Sequence, residues 1–340
     1  MAAKRTATIQ DVARRAKVSI STVSHVLNKT RRVENSTRER ILSAIEELNY
    51  RPNQLARGLR GAGSKTIGLV ISDIREEFFA ELTKAIESAA YDRGYAVMLC
   101  DSEESPEKEA QYVELLAERG ADGIIISPVD SSSCPKPPRG RSLPIVQVDR
   151  RCVGAPYDFF GIDNAACAAE AVRHFASIGR RRLGFIGHER SIMTMSDRAD
   201  GFAAAMRELG DPKGGKVLVL QSRSAEAEAK VERWLAANPA LEGIVCGNAN
   251  ICCTVLEALD ELGIEVPRGM GIVSFDDPNY FVFMRSPITA LRQPTVRMGL
   301  AALDALLALA SGEPFVRGRE RLLPAELIVR KSCGARRSRR

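Results

Sequence analysis

Several side chains of one kind stand at the ends of short apolar runs. Phe78 and Phe79 follow TIGLVIS, Asp149 and Arg150 close PIVQVD, and Arg198 opens a helical stretch after RLGFIG. Asn248 ends GIVCGN, Asp276 ends GMGIVSFD, and Gln293 lies in TALRQP. Carboxylates, amides and guanidiniums make paired hydrogen bonds to hydroxyl groups, while an aromatic ring covers an apolar face. That is the chemistry of holding a small polar molecule such as a sugar. A second set, Ser21, Thr22 and His25, shares the exposed face of a short helical segment, where donors and acceptors could reach the edges of bases. Bond-breaking chemistry has no comparable support. GDPKGGKV at 210–217 fits a phosphate-loop spacing but ends in valine and precedes a strand instead of opening a helix, so it reads as a turn. No GxGxxG follows the first strand, and His25, His174 and His188 have no serine or cysteine partner in a recognisable arrangement. His174, on a helix, reads as structural. No enzyme activity, cofactor or metal site is expected.

The elements that must carry these groups fall into two patterns. In the first, Ile9, Val12, Ala13 and Ala16 recur at helical spacing, with Thr8 and Asp11 as a capping-box start. Lys17 and Val18 make a tight turn, Ser19 caps a second helix over Ile20–Leu27 with Val23, Val26 and Leu27 inward, and a third helix spans Ser36–Leu48. Two short helices across a tight turn with a third packed on them form a helix-turn-helix, whose second helix enters the major groove. In the second pattern, from Lys65, short apolar strands alternate with helices in two series, which predicts two lobes built on parallel sheets. Ligands of such sheets bind beyond the carboxyl ends of the strands, here the cleft between the lobes. Residues 128–144 (PVDSSSCPKPPRGRSLP) stand where a crossover helix is expected, but prolines and serines predict a loop.

Charge separates the patterns. Of 340 residues, the first 65 carry a net +9, residues 330–340 hold six basic and no acidic residues, and the stretch between carries −9. A basic head on an acidic body predicts that the head meets a polyanion. No run of eighteen apolar residues and no apolar leader occur, so a cytoplasmic protein without a membrane partner is expected. The eight cysteines form no CxxC pair, and the histidines are not at zinc spacing, so reduced thiols are expected.

The stretch TIQDVARRAKVSISTVSHVLNKTRRVENSTRERILSAIEELNYRPNQLARGLR resembles the DNA-binding head of the LacI/GalR family of bacterial transcription regulators. The match includes the DVA-x-x-A-x-VS-x-x-TVS-x-VLN core, Val33 and the Tyr50-x-Pro52-Asn53 junction. The resemblance implies that Ile20, Ser21 and His25 read the groove, Ile20 by apolar contact with a thymine methyl. Thr22, Ser24, Asn28, Arg31 and Tyr50 would hold backbone or loop contacts, and Thr8 and Asn53 complete the DNA-facing set. Read alone, Asn53–Arg60 is a linker, since so short a helix is marginal and Gly58 weakens it. By resemblance it is a hinge helix that folds when two subunits pair on DNA, with Leu59 as a minor-groove wedge, Ala56 at the close-packed position and Arg60 as a further contact.

Residues 65–330 resemble the same family's sensor domain, which is similar to periplasmic sugar-binding proteins and is of ribose or purine type. The expected organisation is a helix-turn-helix domain at 1–52, a hinge and linker at 53–64, a two-lobed sensor at 65–330 and a basic tail at 331–340. The N-lobe would take about 65–162 plus 293–325 and the C-lobe about 163–291, the chain crossing three times. Thr194, with Ile192, falls in a loop that varies with ligand. Glu76, where a polar amide is common, and Ala249, where an aspartate often follows the asparagine, depart from the pattern. The function implied is a repressor binding double-stranded operator DNA as a homodimer and sensing a monosaccharide or related small polar molecule. A purine or phosphorylated effector is the alternative, and a transport-type sugar-binding protein or a sugar- or nucleotide-dependent enzyme the weaker ones. The direction of the effector's influence is open, as are the effector, the operator and dimer against tetramer.

Overall fold

The computed structural model describes residues 7–28, 31–50, 63–132, 134–138, 140, 143–221, 226–312 and 318–335. Asn53, Ala56, Leu59 and Arg60, and with them the hinge, lie outside the described residues. The chain divides into two compact units, Met1–Ser64 and Lys65–Arg340.

The first unit is built from α1 (Ile9–Ala16), α2 (Ile20–Asn28) and α3 (Asn35–Glu47). Thr8 and Asp11 form the capping box: the Asp11 amide donates to Thr8 Oγ1 at 3.4 Å and the Thr8 amide to Asp11 Oδ2 at 2.9 Å. Lys17 turns the chain at φ 54°, and Ser19 Oγ accepts from the Thr22 amide at 3.1 Å, starting α2. Val12, Val23 and Ile41, one from each helix, are fully buried and meet at the centre, with Ala13, Ala16 and Ala44 beside them. The core uses one face of α2 and leaves the opposite face to solvent.

The second unit contains two six-stranded sheets. The first runs β11-β5-β4-β3-β1-β2 and is parallel throughout, using β1 (Thr66–Ile71), β2 (Ala96–Asp101), β3 (Gly123–Ile126), β4 (Ile145–Val148), β5 (Asp158–Gly161) and β11 (Glu320–Leu322). The second runs β12-β10-β9-β8-β6-β7, from β6 (Leu183–Gly187), β7 (Lys216–Val219), β8 (Gly243–Cys246), β9 (Gly271–Phe275), β10 (Thr289–Arg292) and β12 (Glu326–Ile328). It is parallel except for β12, which runs antiparallel to β10. The inner strands are buried on both faces, as helices cover both sides. Those helices are α4 (Glu77–Asp92), α5 (Pro106–Glu118), α6 (Asn164–Ser177), α7 (Met193–Glu208), α8 (Ala227–Ala236), α9 (Ala249–Glu261) and α10 (Thr295–Ala310). Helices α6 and α7 cross closely because Gly201 lacks a side chain; a Cβ there would lie 2.3 Å from the Ala165 carbonyl oxygen. The chain passes between the sheets after β5, after β10 and between β11 and β12. The proline-rich stretch after β3 has no helix among its described residues.

Residues 331–335 depart from the expected basic tail, whose remainder, 336–340, lies outside the described residues. Ser332 and Cys333 are fully buried. Ser332 Oγ accepts from the Thr289 amide at 2.7 Å and donates to the Ile272 carbonyl at 2.7 Å, while its own carbonyl accepts from the Ile272 amide at 2.8 Å. The segment is therefore a clasp across β9 and β10. Flanking basic residues make it read as solvated because local charge does not reveal a partner 60 residues away. Ser332→Ala leaves the buried Thr289 amide without its acceptor, so a loss of about 1–3 kcal/mol is expected in urea unfolding. An unchanged midpoint would contradict the clasp.

Candidate functional site

Parallel topology brings the carboxyl ends of both sheets to one edge, and a cavity of about 530 Å³ opens there. Phe78, Asn248, Asp276 and Gln293 line it, together with Glu76. Asp276 follows β9 with φ 65°, and its amide reaches back to the Leu291 carbonyl of β10 at 3.1 Å. Asp149 follows β4 with the same φ of 65°, its amide donating to Phe160 of β5 at 2.9 Å. Each sheet thus ends in a left-handed aspartate, a conformation that Asp tolerates better than most residues. Asn248 caps α9: its Oδ1 accepts from the Ile251 amide at 2.9 Å, and its Nδ2 donates to Glu76 Oε1 at 3.3 Å. Gln293 Nε2 donates to Asp276 Oδ1 at 2.7 Å.

The other expected residues do not line this cavity. Phe79 is the clear correction: it is 1% exposed and belongs to the main core. Helix phase explains this. Phe79, Leu82 and Ile86 form one inward stripe of α4, and Phe78 falls off that stripe. Thr194 is buried in the first turn of α7, and Arg198, 2% exposed, lies within that helix and does not open it. Arg198 Nε donates to Asn164 at 2.7 Å, one Nη to the Gly247 carbonyl at 2.6 Å, and the guanidinium lies 4.1 Å from the centre of the Phe275 ring. Arg150 forks onto Glu104 with bonds of 2.8 and 2.9 Å. Glu104 escapes a sequence reading, being 46 residues from its partner. Asn250 escapes too; its amide donates to Glu76 Oε1 at 3.1 Å, and an asparagine in the first turn of α9 beside Asn248 is the signal that could have found it.

Burial raises the carboxyl groups. Asp149 is pushed up to about 6 by desolvation, against the pull of Arg150 and Arg198. Asp276 is raised by desolvation, against the pull of Arg198 and its Gln293 bond. Glu76 reaches about 7, first through burial and then through the neighbouring Asp276. Among the described residues no group of three or more side chains is arranged to hold a metal ion, and no helix is long and apolar enough to cross a membrane.

In the first unit, α2 presents Ile20, 40% exposed, and exposed Ser21, with Thr22, Ser24 and His25 half-buried. Ser19 Oγ lies 2.7 Å from the hydroxyls of both Ser21 and Thr22. Thr8 is engaged as a helix cap, Arg31 is exposed, and Tyr50 packs against the three-helix core.

Two tests follow. Phe79→Ala is expected to cost about 3–5 kcal/mol in chemical denaturation, the range for a fully buried aromatic, and Phe78→Ala less than half of that; equal losses would place both rings in the core. Because the Glu76 carboxyl rises from 4.5 to about 7 on folding, the folded protein holds a proton that the unfolded chain releases between those values. Stability from this group is therefore present at low pH and lost as pH rises through that window. Relative to the wild type, Glu76→Gln should gain several degrees in melting temperature between pH 5 and pH 8. A pH-independent difference would mean an ordinary carboxylate.

Comparison with known proteins agrees with both units. Residues 8–53 match the family model described as bacterial regulatory proteins, lacI family, and residues 172–333 match a periplasmic binding protein-like domain. The chain is 32% identical over 337 residues to the HTH-type transcriptional repressor PurR of Haemophilus influenzae (strain PittEE), covering 96% of this chain and 98% of that protein. It is 32% identical over 330 residues to the HTH-type transcriptional regulator DegA of Bacillus subtilis (strain 168), covering 96% and 97%. The fold matches the lac repressor dimer bound to operator and the anti-inducer ONPF with a TM-score of 0.83 at 23% identity, over 97% of this chain and 100% of that one. The chain belongs to the lacI family of bacterial regulatory proteins, and it is a ligand-responsive, DNA-binding transcription regulator.

Proposed function

We propose that the chain is a homodimeric repressor whose hold on double-stranded operator DNA is set by a monosaccharide or related polyol in the cleft between the two sheets. The convergence of Phe78, Asn248, Asp276 and Gln293 on one cavity carries this reading. Two aromatic residues, Phe78 and Tyr280, with several amide and carboxylate groups at a strand-end cleft, suit a ring with an apolar side and a hydroxyl rim. Asp149, Arg150, Thr194 and Arg198 act behind that wall, with Arg198 holding Asn164 and Gly247 in register. In the head, Ile20, Ser21 and His25 would read the major groove, supported by Thr8, Thr22, Ser24, Asn28, Arg31 and Tyr50. Asn53, Ala56, Leu59 and Arg60 would form the paired hinge in the minor groove, which effector binding engages or releases.

The division of labour is then 1–52 for reading DNA, 53–64 for the hinge, and the rest of the chain through the 331–335 clasp for sensing and pairing. A thermal-shift screen of the full chain against pentoses, hexoses, polyols, their phosphates and purines tests the effector class. Ligand at 100 times its dissociation constant stabilises by about 2.7 kcal/mol, a shift of several degrees. Asp276→Ala should abolish the shift while leaving DNA binding intact. A shift retained in that variant would place the ligand elsewhere.

A further inference from the structure

The charge of the cavity wall narrows the effector further, and this step rests on the cleft proposed above. Five carboxylates line the cavity against two guanidiniums. Both guanidiniums are already engaged. Arg75 bonds Asp73 at 2.9 and 3.1 Å, and Arg292 bonds Asp277 at 2.9 and 2.6 Å. Asp277 also holds Arg330 at 2.6 and 2.8 Å. Each of these cations is therefore turned toward an acid, Arg75 toward Asp73 outside the lining and Arg292 toward Asp277 within it. The Asp276 carboxylate pushes the Glu76 carboxyl upward, on top of the larger effect of burial.

An independent feature points the same way. Gln293 is 7% exposed, and its Nε2 is fixed on Asp276. That bond sets the orientation of the amide, because a carboxylate accepts and does not donate. Gln293 Oε1 is then a buried acceptor, on a residue that lines the cavity, with no hydrogen-bond donor. An unmet buried acceptor carries a desolvation cost, which a guest recovers by donating to it. Glu76, Asp276 and Gln293 Oε1 together make an acceptor-rich wall.

We propose that the effector carries a primary ammonium group, as in an amino sugar or amino polyol, seated against Glu76, Asp276 and Gln293 Oε1. An ammonium has three donors and no acceptor, which matches three acceptors. Its charge offsets the surplus of carboxylates that a neutral polyol leaves in place. A phosphorylated effector would bring more negative charge to the same wall.

The test is calorimetric titration of the full chain with D-glucosamine, D-galactosamine and D-mannosamine, each set against its parent hexose, its N-acetyl derivative and its 6-phosphate. At least one amine should bind at least ~10-fold more tightly than its parent and its N-acetyl derivative, the order of one charge-assisted hydrogen bond. Glu76→Gln, which keeps the shape and removes the charge, should erase most of that preference. No amine preference anywhere in the panel overturns the inference. A neutral hexose that binds, loses binding in Asp276→Ala and ignores Glu76→Gln overturns the ammonium while leaving the cleft in place. Amine binding that survives both Glu76→Gln and Asp276→Ala overturns the cleft and the ammonium together.

Discussion

A guanidinium that is 2% exposed imposes demands on everything around it. Arg198 meets them with the Asn164 side-chain Oδ1, the Gly247 backbone carbonyl and the face of Phe275, three points on three different segments. The remaining charge pulls on Asp149 at the end of the first sheet and on Asp276 at the end of the second. A buried cation of this kind stays only where its hydrogen bonds and counter-charges are supplied, and removing either side is expensive. Arg198 therefore lies at the junction between fold and site. Two of its partners, Gly247 and Phe275, stand at the ends of β8 and β9, and its charge, with that of Arg150 on Asp149, opposes the desolvation of the aspartates.

The candidate site follows from how the two sheets turn their carboxyl ends toward one cavity. Parallel strands deliver their carboxyl ends together, so the turns after β4 and β9 can each place an aspartate at φ 65°. The same geometry puts Glu76, at the start of α4, against Asn248 and Asn250 of α9 at 3.3 and 3.1 Å. Glu77 likewise accepts from the Asn279 amide at 3.0 Å. The two lobes thus touch through hydrogen bonds at the mouth of the cavity. A molecule that enters must replace or reinforce those bonds, and only a difference in its affinity for the alternative arrangements can shift the lobes.

Much of this architecture is legible in the sequence. Thr8 with Asp11, and Ser19 with Thr22, are local caps whose partners lie three residues away, and the structure makes both. Apolar runs between helices announce eight strands of the two sheets. Four short strands, β5, β10, β11 and β12, carry no comparable local signal and are defined by the neighbours they pair with. Phe79 shows the limit of reasoning from position: adjacent aromatic residues on a helix point about 100° apart, and one of them belongs to the core. The Arg150–Glu104 fork and the Ser332 clasp are long-range, so no window of sequence contains both partners.

The most direct test of the account joins the two units. The protein itself can select its preferred duplex from a random pool, and its affinity for that duplex can be followed by fluorescence anisotropy as a cleft-binding compound is added. The account predicts that affinity moves to a limiting value, and that the duplex changes the compound's affinity by the same factor, as linkage requires. A compound that fills the cleft while the DNA isotherm stays unmoved would contradict it.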